Sequence, residues 1–456
     1  MTLRRLLAFF TCLLFVEEND QCVYATSWIS PFGWAHNLFY FKPPYQIRPY
    51  DHLLVACLIL GIRKADGRGP RVQPMKSMLL LSLATILVWL GYGLARGGDF
   101  RFGCWQIYVP LSAVLYAFTI ATVFKTPQHY AMLAKALLIA AAYRAFMCIA
   151  YYFVCIRTGR VKITEYLTSH DDSVLWVMAI IILLMRILRT KSQGEKFGAF
   201  AFIGVLVAAI QYNTRRLAWV DLVMGLVVLF LLLPPGKAKR RVVRGLLYVV
   251  PILGTYVAVG WGHTDGIFKP LAAFSSITTT EDESTKSRNY ENLGLISTSK
   301  DSGWLIGGGW GHEYTPLSMK YDLSKGFELW RYVPHNSILG ILAFTGVLGY
   351  AGYMLTYPTA MFLNARVARM GSTQAVRDLG LIGAVQMIVC VNQYFGDMGF
   401  FQYKVVYVLA TSYAIALRQP VLCGAWPAGR VSVPRKLEVP QPAARELPPR
   451  ETTWQS

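Results

Sequence analysis

The residues with the greatest chemical capacity stand at the end of a long polar segment, where Trp330-Arg331-Tyr332 and Pro334-His335-Asn336 lead directly into an apolar run. An imidazole at such a boundary can take a proton from a hydroxyl near neutral pH. Asn336 or Ser337 can cap the helix that starts there, whose unpaired N–H groups favour an anion. The alternative for His335 is an interfacial histidine in a polar turn. Upstream, Ser287-Arg288 begins an amphipathic stretch through Tyr290, Leu293 and Ile296, and Gly307-Gly308-Gly309-Trp310-Gly311-His312 follows. Three glycines let a backbone approach a ligand closely or form a plain turn. The run lacks the spacing and the Lys-Ser/Thr of a nucleotide-phosphate loop. Gly309, Trp310, His312 and Arg331 are candidate substrate contacts, as is Asn336.

Other arginines lie where charge is unusual. Thr214-Arg215-Arg216 occupies a very short turn between two apolar runs. The pair either snorkels to lipid phosphates or forms a fixed phosphate or pyrophosphate clamp, a role suited to the rigid guanidinium fork. Arg144 falls near the middle of an apolar run, where a charge persists only if it is paired or faces a wet cavity, unless the span lies half a helix away. Arg157, Arg160 and Lys162, with Asp171 and Asp172, make a mixed-charge outward loop.

These residues need a scaffold, and composition identifies its class. Of 456 residues, 54% are hydrophobic and 15% charged, with a mean hydropathy of +0.39. Soluble chains average about 25% charged. An all-α, polytopic membrane protein is expected. Runs long enough to cross a core of about 30 Å fall near 77–95, 105–124, 131–155, 172–188, 197–213, 217–234, 245–260, 336–362, 378–395 and 398–417. Leu6–Val16 and His52–Ile62 are marginal additions, giving about twelve spans. The first also resembles a signal-peptide core, but without a small-x-small site after Glu17-Glu18-Asn19-Asp20 an uncleaved anchor is expected. Eight cysteines, mostly within or beside apolar runs, form no Cys-x-x-Cys pair, so neither zinc nor a disulfide framework is indicated.

The net charge of +20 does not point to nucleic acid, because Lys and Arg gather in alternate short loops. Arg63–Lys76, Arg186–Lys196, Lys237–Arg244 and Arg366–Arg377 then share the cytoplasmic side. Both termini are expected there, with 17–50, 157–171, 213–216, 261–335 and 395–398 facing outward. The organisation reads as an N-terminal bundle of about nine helices (1–260), a large outward catalytic loop (261–335), C-terminal transmembrane helices (336–417) and a Pro/Arg-rich disordered tail (418–456).

One resemblance joins these features. Thr214-Arg215-Arg216-x-Ala218-Trp219 opens a span; a large external loop carries Arg288 and a glycine stretch; His335-Asn336-x-x-Leu339 and Thr345-Gly346-x-x-Gly349 follow. In order, spacing and sidedness this resembles the O-antigen ligase and polymerase family of bacterial membrane glycosyltransferases, over roughly 160–400. The first 100 residues match little beyond hydrophobicity, and Arg215 stands where the family often has Ser, leaving the equivalent arginine open between Arg215 and Arg216. An Asn-bearing stretch before the sixth span is replaced by His170-Asp171-Asp172.

The resemblance implies a GT-C-like, all-helical enzyme of the bacterial inner membrane with a periplasmic active site. It implies no cofactor and no metal. The donor would be an oligosaccharide carried on undecaprenyl pyrophosphate; membrane lipids, a chain-length regulator and a flippase are the other expected partners. Arg216 and Arg288 would hold the pyrophosphate, His335 would orient or deprotonate the acceptor hydroxyl, and Asn336 would fix the turn. A polymerase extending lipid-linked repeat units is favoured over a ligase delivering finished chains to lipid A core or protein. A transporter of lipid-linked oligosaccharides is the rival from another class, opposed by the one-sided loop and the lack of a visible inverted repeat.

Overall fold

The structure is a computed structural model and describes residues 2–17, 32–35, 38, 48–63, 69–159, 167–263, 268, 271, 283–322, 324–325 and 327–427. Among the described residues there are helices and no strand. In chain order the helices are α1 (Leu3–Val16), α2 (Pro49–Arg63), α3 (Gln73–Ala95), α4 (Phe100–Val123), α5 (Pro127–Tyr151), α6 (Asp172–Arg189), α7 (Gln193–Asn213), α8 (Arg216–Leu232) and α9 (Lys237–Gly260). They continue with α10 (Glu283–Ser302), α11 (Ser337–Met354), α12 (Thr356–Met370), α13 (Gln374–Gly396) and α14 (Tyr403–Leu422).

Eight of these spans are long and apolar enough to cross a membrane, with α11 and α12 counted as one. The chain is therefore a membrane-embedded helical protein. Four of the twelve expected runs are helices that fall short of this measure. At 14 and 15 residues, α1 and α2 reach only about 21 to 22 Å. α8 has 17 residues, and α6 carries Asp172, Arg186 and Arg189 within 18. α14 runs past the expected boundary at 417 because Arg418 donates to the Ala121 carbonyl at 2.8 Å and Gln419 to that of Lys125 at 2.9 Å. The tail from 428 lies outside the described residues, as does most of 17–50 and of 261–282.

Helices α4 and α14 form the centre of the bundle, with 78% and 83% of their apolar windows buried. None of the apolar window of α9 is buried, and its Arg241 reaches the α6 carbonyl of Leu188. The two ends of the bundle are chemically distinct. At one end Arg4 donates to the Val123 carbonyl, Arg71 to Thr122 and Arg189 to Asp378. At the other end stand Glu17, His170, Arg215, His335, Asp397 and Lys404, as the antiparallel order of the helices requires.

The polar segment before α11 is docked against these helices. Inside α11, Gly346 adopts φ +59°, ψ −173°, which breaks the helical ladder. Backbone groups freed at membrane depth need partners. The loop supplies them: Val347 N–H donates to Trp304 O at 2.8 Å, Leu348 N–H to Leu305 O at 3.1 Å, and Phe344 O accepts from Gly309 N–H at 2.7 Å. Gly346 is required twice over, by its left-handed conformation and because a Cβ would lie 2.5 Å from Ile306 N. Gly309, at φ +90°, presses its backbone against Gly93 of α3. The close approach that the glycine run provides is thus to the protein's own helices.

Candidate functional site

Five segments converge at the end of the bundle that carries His335 and Asp397. His335 immediately precedes α11, whose first turn is capped by Asn336 Oδ1 accepting from Leu339 N–H at 3.1 Å. Met398 N–H donates to the His335 carbonyl at 2.8 Å, tying the turn after α13 to the entrance of α11. From the loop helix α10, Glu291 takes the His335 backbone N–H on one oxygen and Nδ1 on the other at 2.8 Å. A carboxylate that takes both contacts accepts from Nδ1–H, so that in the neutral ring it is Nε2 that presents a lone pair. Trp330 packs edge-on against the same imidazole at 5.2 Å.

A second histidine stands beside the first. His170 precedes α6, and its segment is held by Asn213 Oδ1, which accepts from the N–H groups of Leu167 and Thr168 at 3.1 and 2.9 Å. His170 Nδ1 meets Asp397 Oδ2 at 2.5 Å, and Arg215 Nη2 donates to His170 Nε2. Both contacts together require a neutral ring, donating at Nδ1 and accepting at Nε2. Burial lowers the His170 pKa; Arg215 adds to that and Asp397 opposes it, so the balance agrees with the geometry. Burial alone would raise the Asp397 carboxyl, but His170, Arg215 and Arg288 overcome it and hold Asp397 well below the usual carboxylate range. Arg288 Nη2 lies 4.0 Å from Asp397 Oδ1.

The backbone is strained at two points beside these groups. Thr214 and Met398, at φ +58° and +57°, are the non-glycine residues with positive φ among those described, next to Arg215 and Asp397 respectively. Such conformations disfavour L residues and persist where the surroundings over-determine them. Here they turn Arg215 and Asp397 toward one another across the ends of α8 and α13. Asp221 reinforces that arrangement from within α8, accepting from Asn392 and Gln393 of α13 at 2.6 Å each.

Of the residues expected at a site, His335, Arg288 and Arg215 are brought together. Arg215 enters the cluster through His170 Nε2, and Arg216, the first residue of α8, is exposed beside it. Arg144 is fully buried and bound through Nε and Nη2 to Asp172 at 2.7 to 3.1 Å, which joins α5 to the first turn of α6. The pair sets Arg144 at the level of the first residue of α6, beside the His170 end of the bundle. Arg331 is engaged by Asp322 at 2.5 Å and Glu313 at 3.0 Å within the loop. Trp310 is buried with its backbone N–H donating to Trp89 O at 3.2 Å, and His312 Nε2 lies 3.1 Å from Gly93 O. Gly309, Trp310 and His312 accordingly anchor the loop on α3.

Three members of the cluster, Glu291, His170 and Asp397, are not among the site residues that the sequence marks. Glu291 had one usable signal: it follows Arg288 by three residues in an amphipathic stretch, which places both on one helical face. Nothing local separated it from Glu283, Glu313 or Glu328 in the same segment. Neither a protein-family model nor a curated protein sequence matches the chain.

Proposed function

We propose that this protein is a membrane glycosyltransferase that extends a polysaccharide on its outward face, moving a glycan from undecaprenyl pyrophosphate to a hydroxyl of the next lipid-linked repeat unit. The observation that carries the reading is the placing of a histidine, its Nδ1 held by the Glu291 carboxylate, beside arginines at one end of a membrane-embedded bundle. His335 Nε2 would accept the proton of the attacking hydroxyl while Glu291 stabilises the resulting imidazolium. The bond from the anomeric carbon to the pyrophosphate oxygen breaks as the new glycosidic bond forms. Arg215 and Arg288, with the exposed Arg216 at the mouth, would receive the charge developing on the leaving pyrophosphate. Asp397 faces Arg288 at 4.0 Å and holds Nδ1 of the neutral His170, which in turn fixes the direction of Arg215. Arginine forks supply here the charge neutralisation that other transferases draw from a metal ion.

The test is the size profile of envelope and surface glycans from cells lacking the protein, resolved by gel and probed for the lipid carrier. Accumulation of single repeat units, capped on acceptor or held on carrier, supports polymerisation. Long chains trapped on undecaprenyl pyrophosphate would replace it with ligation of finished glycan. An unchanged profile would overturn both and restore the transporter reading.

A further inference from the structure

We infer that Trp304-Leu305-Ile306 is a re-entrant anchor, inserted among the acyl chains of the leaflet on the His335 side, where it holds the loop at a fixed depth. The inference stands apart from the glycan-transfer reading. From Ser302 to Gly311 the loop carries no charge. Trp304, Leu305 and Ile306 are 41 to 59% exposed, and their carbonyls bond to Val347 and Leu348 of α11 and to Trp89 of α3. Val347 and Leu348 are themselves exposed, as is Val88 next to Trp89. The loop residues therefore extend the lipid-facing surface of two membrane-spanning helices. A contiguous apolar patch of this kind marks an interaction surface when it faces water; among acyl chains it is simply solvated.

Helix geometry gives the depth. α3 has 23 residues and rises about 34 Å, about 4 Å more than a hydrocarbon core of about 30 Å. Trp89 stands six residues before the Ala95 end of α3, which is about 9 Å of rise. With all the excess length projecting on this side, Trp89 is still about 5 Å inside the hydrocarbon. Gly346 lies nine residues after the start of α11, about 13 Å from the same end of the bundle. Irregular backbone is tolerated at such depth where its polar groups are taken. Trp304 O receives the Val347 N–H at 2.8 Å, Leu305 O that of Leu348 at 3.1 Å, and Ile306 O the Trp89 Nε1–H at 2.7 Å. Trp304 and Trp89 are also of the residue type that favours the boundary between lipid and water. Gly303, at φ +91°, turns the chain from the end of α10 into this segment. The anchor thus sets the height above the bilayer of the helix that carries Arg288 and Glu291.

The test puts the photo-crosslinking residue p-benzoylphenylalanine in place of Leu305, Trp304, Val88 or Met319, one at a time, in the full chain. Each variant is irradiated in nanodiscs of phosphatidylethanolamine and phosphatidylglycerol, and phospholipid adducts are measured by mass spectrometry. All four side chains are exposed, so the larger ring displaces no packed neighbour. Val88 reports a helix face in lipid. Met319, next to Lys320 in its ion pair with Glu283, reports loop surface in water. Adduct yields at Leu305 and Trp304 are expected to approach that at Val88 and to exceed that at Met319 by at least about tenfold. Yields at both positions below that margin over Met319 would overturn the anchor. Adducts to a second copy of the chain in place of phospholipid would also overturn it and make the patch a protein interface.

Discussion

Replacing Glu291 by Gln tests the tautomer argument with almost no change of shape. Glu291 is 5% exposed and uses both oxygens on His335, one on the backbone N–H and one on Nδ1. The amide keeps one acceptor and turns the other position into a donor. Placed against Nδ1–H, that donor leaves two N–H groups facing each other. The ring escapes by moving its proton to Nε2, and the atom aimed at the acceptor hydroxyl then has no lone pair. Hydrogen bonds to charged groups contribute about 1.5 to 3 kcal/mol each, so losing one costs stability on the order of 2 kcal/mol. General base catalysis contributes about 10²- to 10⁴-fold, or roughly 3 to 5 kcal/mol of barrier. Glu291→Gln should therefore lower the rate of glycan extension at least a hundredfold while the protein still reaches the membrane. The assay is restoration of long glycan in cells lacking the chromosomal copy, normalised to membrane-extracted protein. Extension within about threefold of wild type at equal protein level would refute the pairing as a device of catalysis.

Three further outcomes follow from the same structure. Arg144→Leu should destabilise the protein by about 3 to 5 kcal/mol by leaving Asp172 charged and buried, and Arg144→Leu/Asp172→Leu should recover most of that loss in detergent melting; equal melting of single and double variants would contradict it. Gly346→Ala should lower the melting temperature and expose 303–311 to protease, since a Cβ there meets Ile306 N at 2.5 Å in a left-handed backbone, whereas Gly91→Ala, with nothing within 4 Å, should be close to neutral. Asp171 is a pH probe: burial, with Asp172, Glu17 and Asp397 nearby and Lys404 opposing, pushes its carboxyl up to about 7. The folded chain then holds a proton that the unfolded chain releases near 3.8, so stability is lost as pH rises between about 4 and 7. Asp171→Asn should melt higher than wild type at pH 8, by up to about 4 kcal/mol of stability, with the gap shrinking toward pH 5; a gap that does not change with pH would sink the assignment.

The helices were legible because apolar run length is a property of each segment alone, and nearly every expected run is helical. Membrane-crossing length was less legible for α6 and α8, whose ends are set by Asp172, Arg216 and neighbouring helices rather than by hydropathy. His335 and Arg215 could be picked out because a charge or imidazole at an apolar boundary is costly enough to ask for a reason, and Arg288 through the resemblance and its place at the start of an amphipathic stretch. Their partners could not. Asp397 and His170 are 227 residues apart and meet only through packing of α13 beside α6. The glycine run shows the same limit: its need for close approach was readable, but whether to a ligand or to Gly93 and Gly346 depended on helices more than 200 residues before it and about 35 after it. Arg144 was readable as a charge that must be paired, and Asp172 is the pair.

The central claim is that this chain itself moves a glycan off undecaprenyl pyrophosphate using His335. The most direct measurement is to place the purified protein in liposomes with the undecaprenyl-pyrophosphate-linked repeat unit of its own cells and follow product length and released undecaprenyl pyrophosphate together. Stepwise longer glycans with equimolar release of the carrier, abolished in His335→Ala, are predicted. Carrier-linked units that stay unchanged with the wild-type protein, or that extend equally well with His335→Ala, would contradict the account.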